Sequence, residues 1–131
     1  TLKAIFAYLI MPLFFIIILL VAIVIPNLFM ARVAANEAVA KATVETISSA
    51  IEKYAVANNG QYPADEYDLK YAKPPYLDKI YNGKTIDGYV YSVHLNSSGY
   101  KITVVPSKCN DTGNKDFTVE TKGTVLESVC K

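Results

Sequence analysis

Hydrophobic and polar positions divide the chain at Arg32. Between Lys3 and Arg32 no side chain is charged, and Ala4 to Ile25 is almost entirely apolar. A helix crossing the hydrocarbon core of a bilayer needs about 20 apolar residues, so this stretch is long enough to span. A cleaved secretory signal has a shorter apolar run, about 7 to 15 residues, ending at a small-residue cleavage site. This run instead continues through Pro26 into an amphipathic helix, so the segment is expected to remain in the mature protein. Pro12 and Pro26 each remove a backbone donor and crowd the preceding turn, which predicts a kink or local unwinding at both places.

From Val33 the pattern becomes amphipathic. Ala40, Val44, Ile47, Ile51 and Tyr54 recur at spacings of four, three, four and three, one apolar stripe along a helix. Glu37 precedes Lys41 by four residues, a favourable helix pair. Asn58-Asn59-Gly60 supplies the left-handed stop expected at a helix C-terminus. A helix is therefore predicted from near Leu2 to about Ala57, on the order of 80 Å at 1.5 Å per residue. The stretch from Gln61 to Tyr81, with Pro74-Pro75 in it, reads as a connecting loop with one short helical turn around Asp65 to Leu69.

Beyond the loop the period is two. Tyr89 to Leu95 reads as a strand, Asn96-Ser97-Ser98-Gly99 as a turn and Tyr100 to Val105 as its hairpin partner, ended by Pro106. Asp116 to Thr121 and Thr124 to Val129 predict a second strand pair around Lys122-Gly123. The sheet has three or four antiparallel strands on this reading, and the Ala40 to Tyr54 stripe is the apolar surface left to cover its inner face. The fold class is α+β: a long helix, apolar in its first half and amphipathic in its second, packed on a small antiparallel sheet. Tyr89, Tyr91 and Tyr100 alternate with apolar residues as the half-buried face of that sheet.

Composition agrees with this division. Hydrophobic residues make up 52% of the 131, with mean hydropathy +0.23, too apolar for an ordinary soluble domain. All 12 acids follow Arg32, and the near-neutral remainder argues against an electrostatic nucleic-acid binder. Lys3 and Arg32 alone do not choose a topology by the positive-inside rule. Cys109 and Cys130 both lie in the C-terminal domain, and an even pair in a small domain fits an oxidising compartment better than the cytosol. That domain is expected outside and the N-terminus inside. A disulfide closing a loop of roughly 20 residues would contribute about 3 kcal/mol, the alternative being two unpaired buried thiols.

Few residues suit chemistry. His94 has no Cys, Asp or Glu at ligand spacing and reads as a strand residue. Asp65, Glu66 and Asp68 read as solvated loop charges, with no ligand set to name for calcium. No phosphate loop, activated nucleophile or Cys/His cluster appears, so the expectation is no enzyme, no cofactor and no metal.

Ile25-Pro26-Asn27-Leu28-Phe29-Met30-Ala31-Arg32, Ala35-Asn36-Glu37-Ala38 and the run from Tyr54 through Gly60-Gln61-Tyr62-Pro63 strongly resemble a bacterial type IV pilin. Pro74-Pro75-Tyr76-Leu77-Asp78, Gly88-Tyr89, Gly113-Asn114-Lys115-Asp116-Phe117 and Gly123 are similar to the globular domains of pilins and type II secretion pseudopilins. The resemblance implies a subunit that waits in the inner membrane and is then extracted into a helical homopolymer at the cell surface, with a separate assembly ATPase and platform proteins and no nucleic-acid partner. It implies residues 1–32 as membrane anchor and filament core, with Phe14, Phe15, Ile16, Ile17, Leu20, Ile23 and Ile25 in that core and Pro26 where pilin helices loosen. Residues 33–131 are then the head, with Val44, Ile47, Ile51 and Tyr54 in its core. In that family a cysteine pair brackets a surface loop, the place of Cys109 and Cys130; with Tyr76 and Leu77, that loop is a candidate contact between heads.

The sequence departs from the family at one point. Family members begin Phe-Thr-Leu-x-Glu, with a glutamate that neutralises a neighbour's terminal amine, whereas Ile5, or Leu9 if the chains are aligned on Ile25-Pro26, stands here. Two other functions share the expected architecture: the major pseudopilin of a type II secretion system, and a membrane-anchored extracytoplasmic domain that does not polymerise.

Overall fold

The computed structural model describes residues 1–131 and divides them into two compact units, Thr1–Arg32 and Val33–Lys131. Helix α1 (Leu2–Ala57) supplies nearly all of the first unit and the start of the second. It stops where Asn59 and Gly60 both turn to positive φ, 57° and 84°, and the Gly60 amide donates back to the Ala55 carbonyl at 2.8 Å. The local unwinding expected at Pro12 and Pro26 does not occur, since helix continues through both. Each proline removes one donor, and the bonds of the flanking turns hold the helix on either side.

The second unit is a helix-on-sheet layer, giving the α+β fold expected. Its sheet has five antiparallel strands in the order β1-β2-β3-β4-β5, each beside its neighbour in sequence: β1 (Thr85–Ile86), β2 (Tyr89–Asn96), β3 (Gly99–Pro106), β4 (Lys115–Glu120) and β5 (Leu126–Val129). This is one strand more than expected. The extra strand, β1, pairs with β2 across Asp87-Gly88, both at positive φ, a tight hairpin turn that an Asp-Gly dipeptide favours. Between β2 and β3 the Asn96 side chain accepts from the Ser98 amide at 2.9 Å, bracing the turn.

Alternation along the strands puts one set of side chains inward. Tyr91 faces Val104 and Val104 faces Phe117; Val93 faces Ile102 and Ile102 faces Val119. All are buried, together with Tyr89 and Tyr100. Val44, Ile47 and Ile51 of α1, each fully buried, lie in the same core, as does Ala40. Tyr54, the last residue of the predicted stripe, is only half-buried at the edge, against Tyr76 in an edge-to-face ring contact at 5.6 Å. Tyr89, Tyr91 and Tyr100, expected on a half-buried face, are almost wholly enclosed because helix and loop together cover that side of the sheet.

The connection between helix and sheet, residues 58–84, carries its own structure. Asp65 caps α2 (Glu66–Lys70) by accepting from the Tyr67 and Asp68 amides, while the Asp68 carboxylate accepts from the Ala64 amide at 3.0 Å. Leu69 beneath it is fully buried.

Candidate assembly surfaces

In the first unit every residue is exposed. Phe14, Phe15, Ile16, Ile17, Leu20, Ile23 and Ile25 each expose half or more of their surface, and no polar stripe divides them. An apolar surface on every side of a helix has no stable place in water; it needs lipid or other apolar helices around it. By length and composition α1 can cross a membrane, though a signal sequence passes the same test.

The second surface is the segment closed by the Cys109–Cys130 disulfide, whose half-cystines are 21 residues apart in sequence with Cα atoms 5.7 Å apart. α1 holds it by two polar contacts that lie one residue apart. Asn36 Nδ2 donates to the Thr112 carbonyl at 3.0 Å, and Glu37 Oε1 accepts from the Asn114 amide at 2.8 Å. Between those anchors Gly113 passes over the Tyr89 ring so closely that a Cβ there would collide with the phenol. The Tyr89 hydroxyl donates to the Lys115 carbonyl at 2.9 Å, and the Cys130 amide to the Asn114 carbonyl at 3.0 Å. The β4–β5 side is tied down by Glu127, which takes Lys41 at 2.8 Å and Lys115 at 3.2 Å. Those two hydrogen-bonded cations hold the Glu127 carboxyl below its usual range, and Glu127 raises Lys41 in turn.

Two further carboxylates do structural work that the sequence pattern hides. Glu52 accepts from the Tyr62 hydroxyl at 3.1 Å, the Tyr100 hydroxyl at 2.9 Å and the Lys122 amide at 2.9 Å, linking helix, loop and the β4–β5 turn. Burial pushes the Tyr100 phenol up to about 12; the Ser48 hydroxyl opposes the shift, and Glu52 adds to it. The Tyr62 phenol is raised by burial and by Glu52. Glu66, expected as a solvated charge, is buried, and both of its oxygens accept backbone amides, from Tyr81 and Asn82, each at 2.9 Å. A carboxylate can sit there because two donors replace its water.

Of the residues expected between heads, Leu77 is not available, since it is buried in the core, and Tyr76 is half-buried beside Tyr54. The backbone of that segment turns inward, where the Tyr76 and Leu77 amides both donate to the Leu69 carbonyl. The disulfide segment remains at the surface, with Asn110, Asp111, Asn114 and Lys115 exposed. His94 is exposed near the end of β2. Sequence reasoning did not single out the contacts of Asn36 and Glu52, and it paired Glu37 with Lys41, whereas Glu37 takes the Asn114 amide and Lys41 takes Glu127. Their one signal was position, on or beside the flank of the helix that carries the stripe. Comparisons with protein-family models, with curated proteins and with solved structures each return no match for this chain.

Proposed function

We propose that the chain is a pilin-like structural subunit that polymerises through its apolar helix into an extracellular filament. Residues 1–32 hold it in the inner membrane before assembly and then form the filament core, while residues 33–131 form the exposed head. One observation carries this reading: the first unit is apolar on every side and wholly exposed. Transferring about 20 large apolar side chains out of water at roughly 1.5 to 3 kcal/mol each is worth tens of kcal/mol, so lipid or neighbouring copies must surround them. A head closed by a disulfide suits the extracytoplasmic side. The role is structural and not catalytic; a separate ATPase and platform proteins supply the work of extraction.

The experiment is electron microscopy of material sheared from cells, with mass spectrometry identifying this chain and its N-terminus. Filaments built of this chain are the expected result. Filaments seen only on overproduction would assign the chain to a secretion pseudopilus. Leu9, where alignment on Ile25-Pro26 places the family's glutamate, favours a second reading, a head that stays anchored and never polymerises. For that reading the chain would be found only in the membrane fraction, released by detergent and not by shearing.

A further inference from the structure

Two stretches of the head carry an asparagine two residues before a hydroxyl side chain: Asn96-Ser97-Ser98 and Asn110-Asp111-Thr112. That spacing is the acceptor pattern for a sugar on the asparagine amide, because the hydroxyl can reach back to the carboxamide. Such short matches are common, and local geometry separates these two.

In the first, the reach is made. Asn96 ends β2, and Asn96, Ser97 and Ser98 are all exposed at the tip of the β2–β3 hairpin. Asn96 Oδ1 accepts from the Ser98 hydroxyl at 2.7 Å and from the Ser98 amide at 2.9 Å. Both acceptor sites of that oxygen are filled, while Nδ2 makes no hydrogen bond within the chain. Across the ladder stands Gly99, so no side chain crowds the carboxamide from the neighbouring strand. The base of the hairpin is held behind it, where the Tyr100 amide donates to the Thr121 hydroxyl at 2.8 Å.

In the second, the hydroxyl is engaged elsewhere. Thr112 Oγ1 donates to the Lys108 carbonyl and accepts from the Lys108 amide, each at 3.2 Å, and lies 3.3 Å from the Ser107 hydroxyl. Asn110 is held at φ 64°, its amide donating to the Gly113 carbonyl at 2.8 Å inside the disulfide-closed segment. No hydrogen bond joins the Thr112 hydroxyl to the Asn110 carboxamide.

We propose that Asn96 is an N-glycosylation site, its Nδ2 taking an oligosaccharide from a polyprenyl diphosphate carrier. The proposal rests on the reading that places the head on the extracytoplasmic side. A carboxamide nitrogen is a poor nucleophile, since its lone pair is shared with the carbonyl. Two donors on Oδ1 draw electron density toward that oxygen and make the Nδ2 protons easier to remove. A base of the transferase takes one of those protons, the nitrogen bonds to the anomeric carbon of the first sugar, and that carbon's bond to the diphosphate oxygen breaks. The carrier leaves as the polyprenyl diphosphate with the bonding electron pair, so the transfer needs no oxidant or reductant. Asn110 stays bare because its hydroxyl partner is turned away.

The test is mass spectrometry of the full chain recovered, by shearing or with detergent, from the cells that make it. Cleavage after lysine releases residues 85–101 with Asn96 and leaves Cys109 and Asn110 in another fragment. The expected result is a sugar mass on the 85–101 peptide, removed by a glycoamidase with conversion of Asn96 to Asp. Ser98→Ala should abolish the modification, whereas Ser98→Thr and Ser97→Ala should keep it. The Cys109–Cys130 link, read in the same digest, reports the compartment. A bare Asn96 on a chain with linked cysteines overturns the proposal and leaves the placement of the head standing; a bare Asn96 with two free thiols overturns both. Sugar on Ser97, Ser98 or Asn110 in place of Asn96, or sugar on Asn96 that survives Ser98→Ala, would also overturn it.

Discussion

Glu37 on α1 and the backbone amide of Asn114 meet at 2.8 Å, joined across 77 residues of sequence. With Asn36 on Thr112, this contact holds the disulfide-closed segment onto the helix, so covalent and polar links secure the same piece of chain. The two can be separated. Glu37→Ala removes the hydrogen bond and should cost the head about 1 kcal/mol. Cys109→Ser with Cys130→Ser should cost about 3 kcal/mol and lower the melting temperature by roughly 10 °C or more, as loop-closure entropy returns to the unfolded chain. Thermal unfolding followed by circular dichroism checks both, and an unchanged melt on reduction would count against a stabilising disulfide.

Gly113 allows the segment to cross Tyr89, and alanine at that position would press on the phenol. Because Tyr89 is fully buried and its hydroxyl is engaged with Lys115, the ring cannot move aside. Gly113→Ala should destabilise the head by about 1 to 3 kcal/mol, the range for an overpacked core. Urea unfolding of Gly113→Ala beside Gly83→Ala separates crowding from backbone cost: a Cβ at Gly83 meets nothing within contact range, and its φ of +76° makes any loss there conformational.

The two ends of α1 should respond oppositely to one kind of change. Ile47→Ala empties a fully buried site and should cost about 2 to 5 kcal/mol of head stability. Ile16→Ala removes a side chain that touches no core, and the melting temperature of the head should not change. Membrane retention and filament yield are where Ile16→Ala should show. A large drop in the melt of Ile16→Ala would mean that the first unit helps hold the second together.

Alkaline pH should weaken the head in a defined window. Burial raises the phenols of Tyr81, Tyr89 and Tyr100 to about 12 from an ordinary value of 10. A group whose pKa is raised on folding gives its stabilisation in full below the unfolded value and loses it as pH rises toward the folded one. Between about pH 10 and 12 the unfolded chain releases protons that the folded chain keeps, so the melting temperature should fall through that interval and level off above it. Tyrosinate absorbance measured with the melt checks the assignment, and Tyr100→Phe should shrink the drop.

Removing residues 1–28 should leave a soluble, folded monomer. The core of the second unit begins at Val33 and is completed by the sheet, so the cut takes away exposed apolar surface and no buried side chain. Gel filtration and amide dispersion in NMR spectra decide it. An aggregated or unfolded product would show that the division at Arg32 is not a folding boundary.

Much of the fold is written in local pattern. The apolar run and the four-three spacing set α1, and Asn59-Gly60 ends it where positive φ is required. Strands β2, β3 and β4 follow from alternation, because one face of each is buried, whereas β5 is exposed along its length and follows from its turn at Lys122-Gly123. What escaped was short or distant. β1 is two residues long, too short for periodicity, although Asp87-Gly88 marked its turn. Glu66 looked solvated because the amides that hold it come from Tyr81 and Asn82, some fifteen residues on. Glu37 looked like ordinary helix surface because its partner lies 77 residues away, and Glu52 because its three partners lie 10, 48 and 70 residues on, in three different segments. Leu77 looked exposed beside prolines, yet it fills the core under α2.

The strict order of the sheet sets a timetable for the nascent chain. Every strand pairs with the one made just before it, so hairpins can close in sequence as the polypeptide emerges. The helix stripe, made first, waits until β3 and β4 arrive to cover Val44, Ile47 and Ile51. Cys130 follows the last strand, so its bond to Cys109 can close only after all five strands have been synthesised. The disulfide therefore serves as a receipt for the finished sheet, and an oxidised head is one whose five strands have all been made.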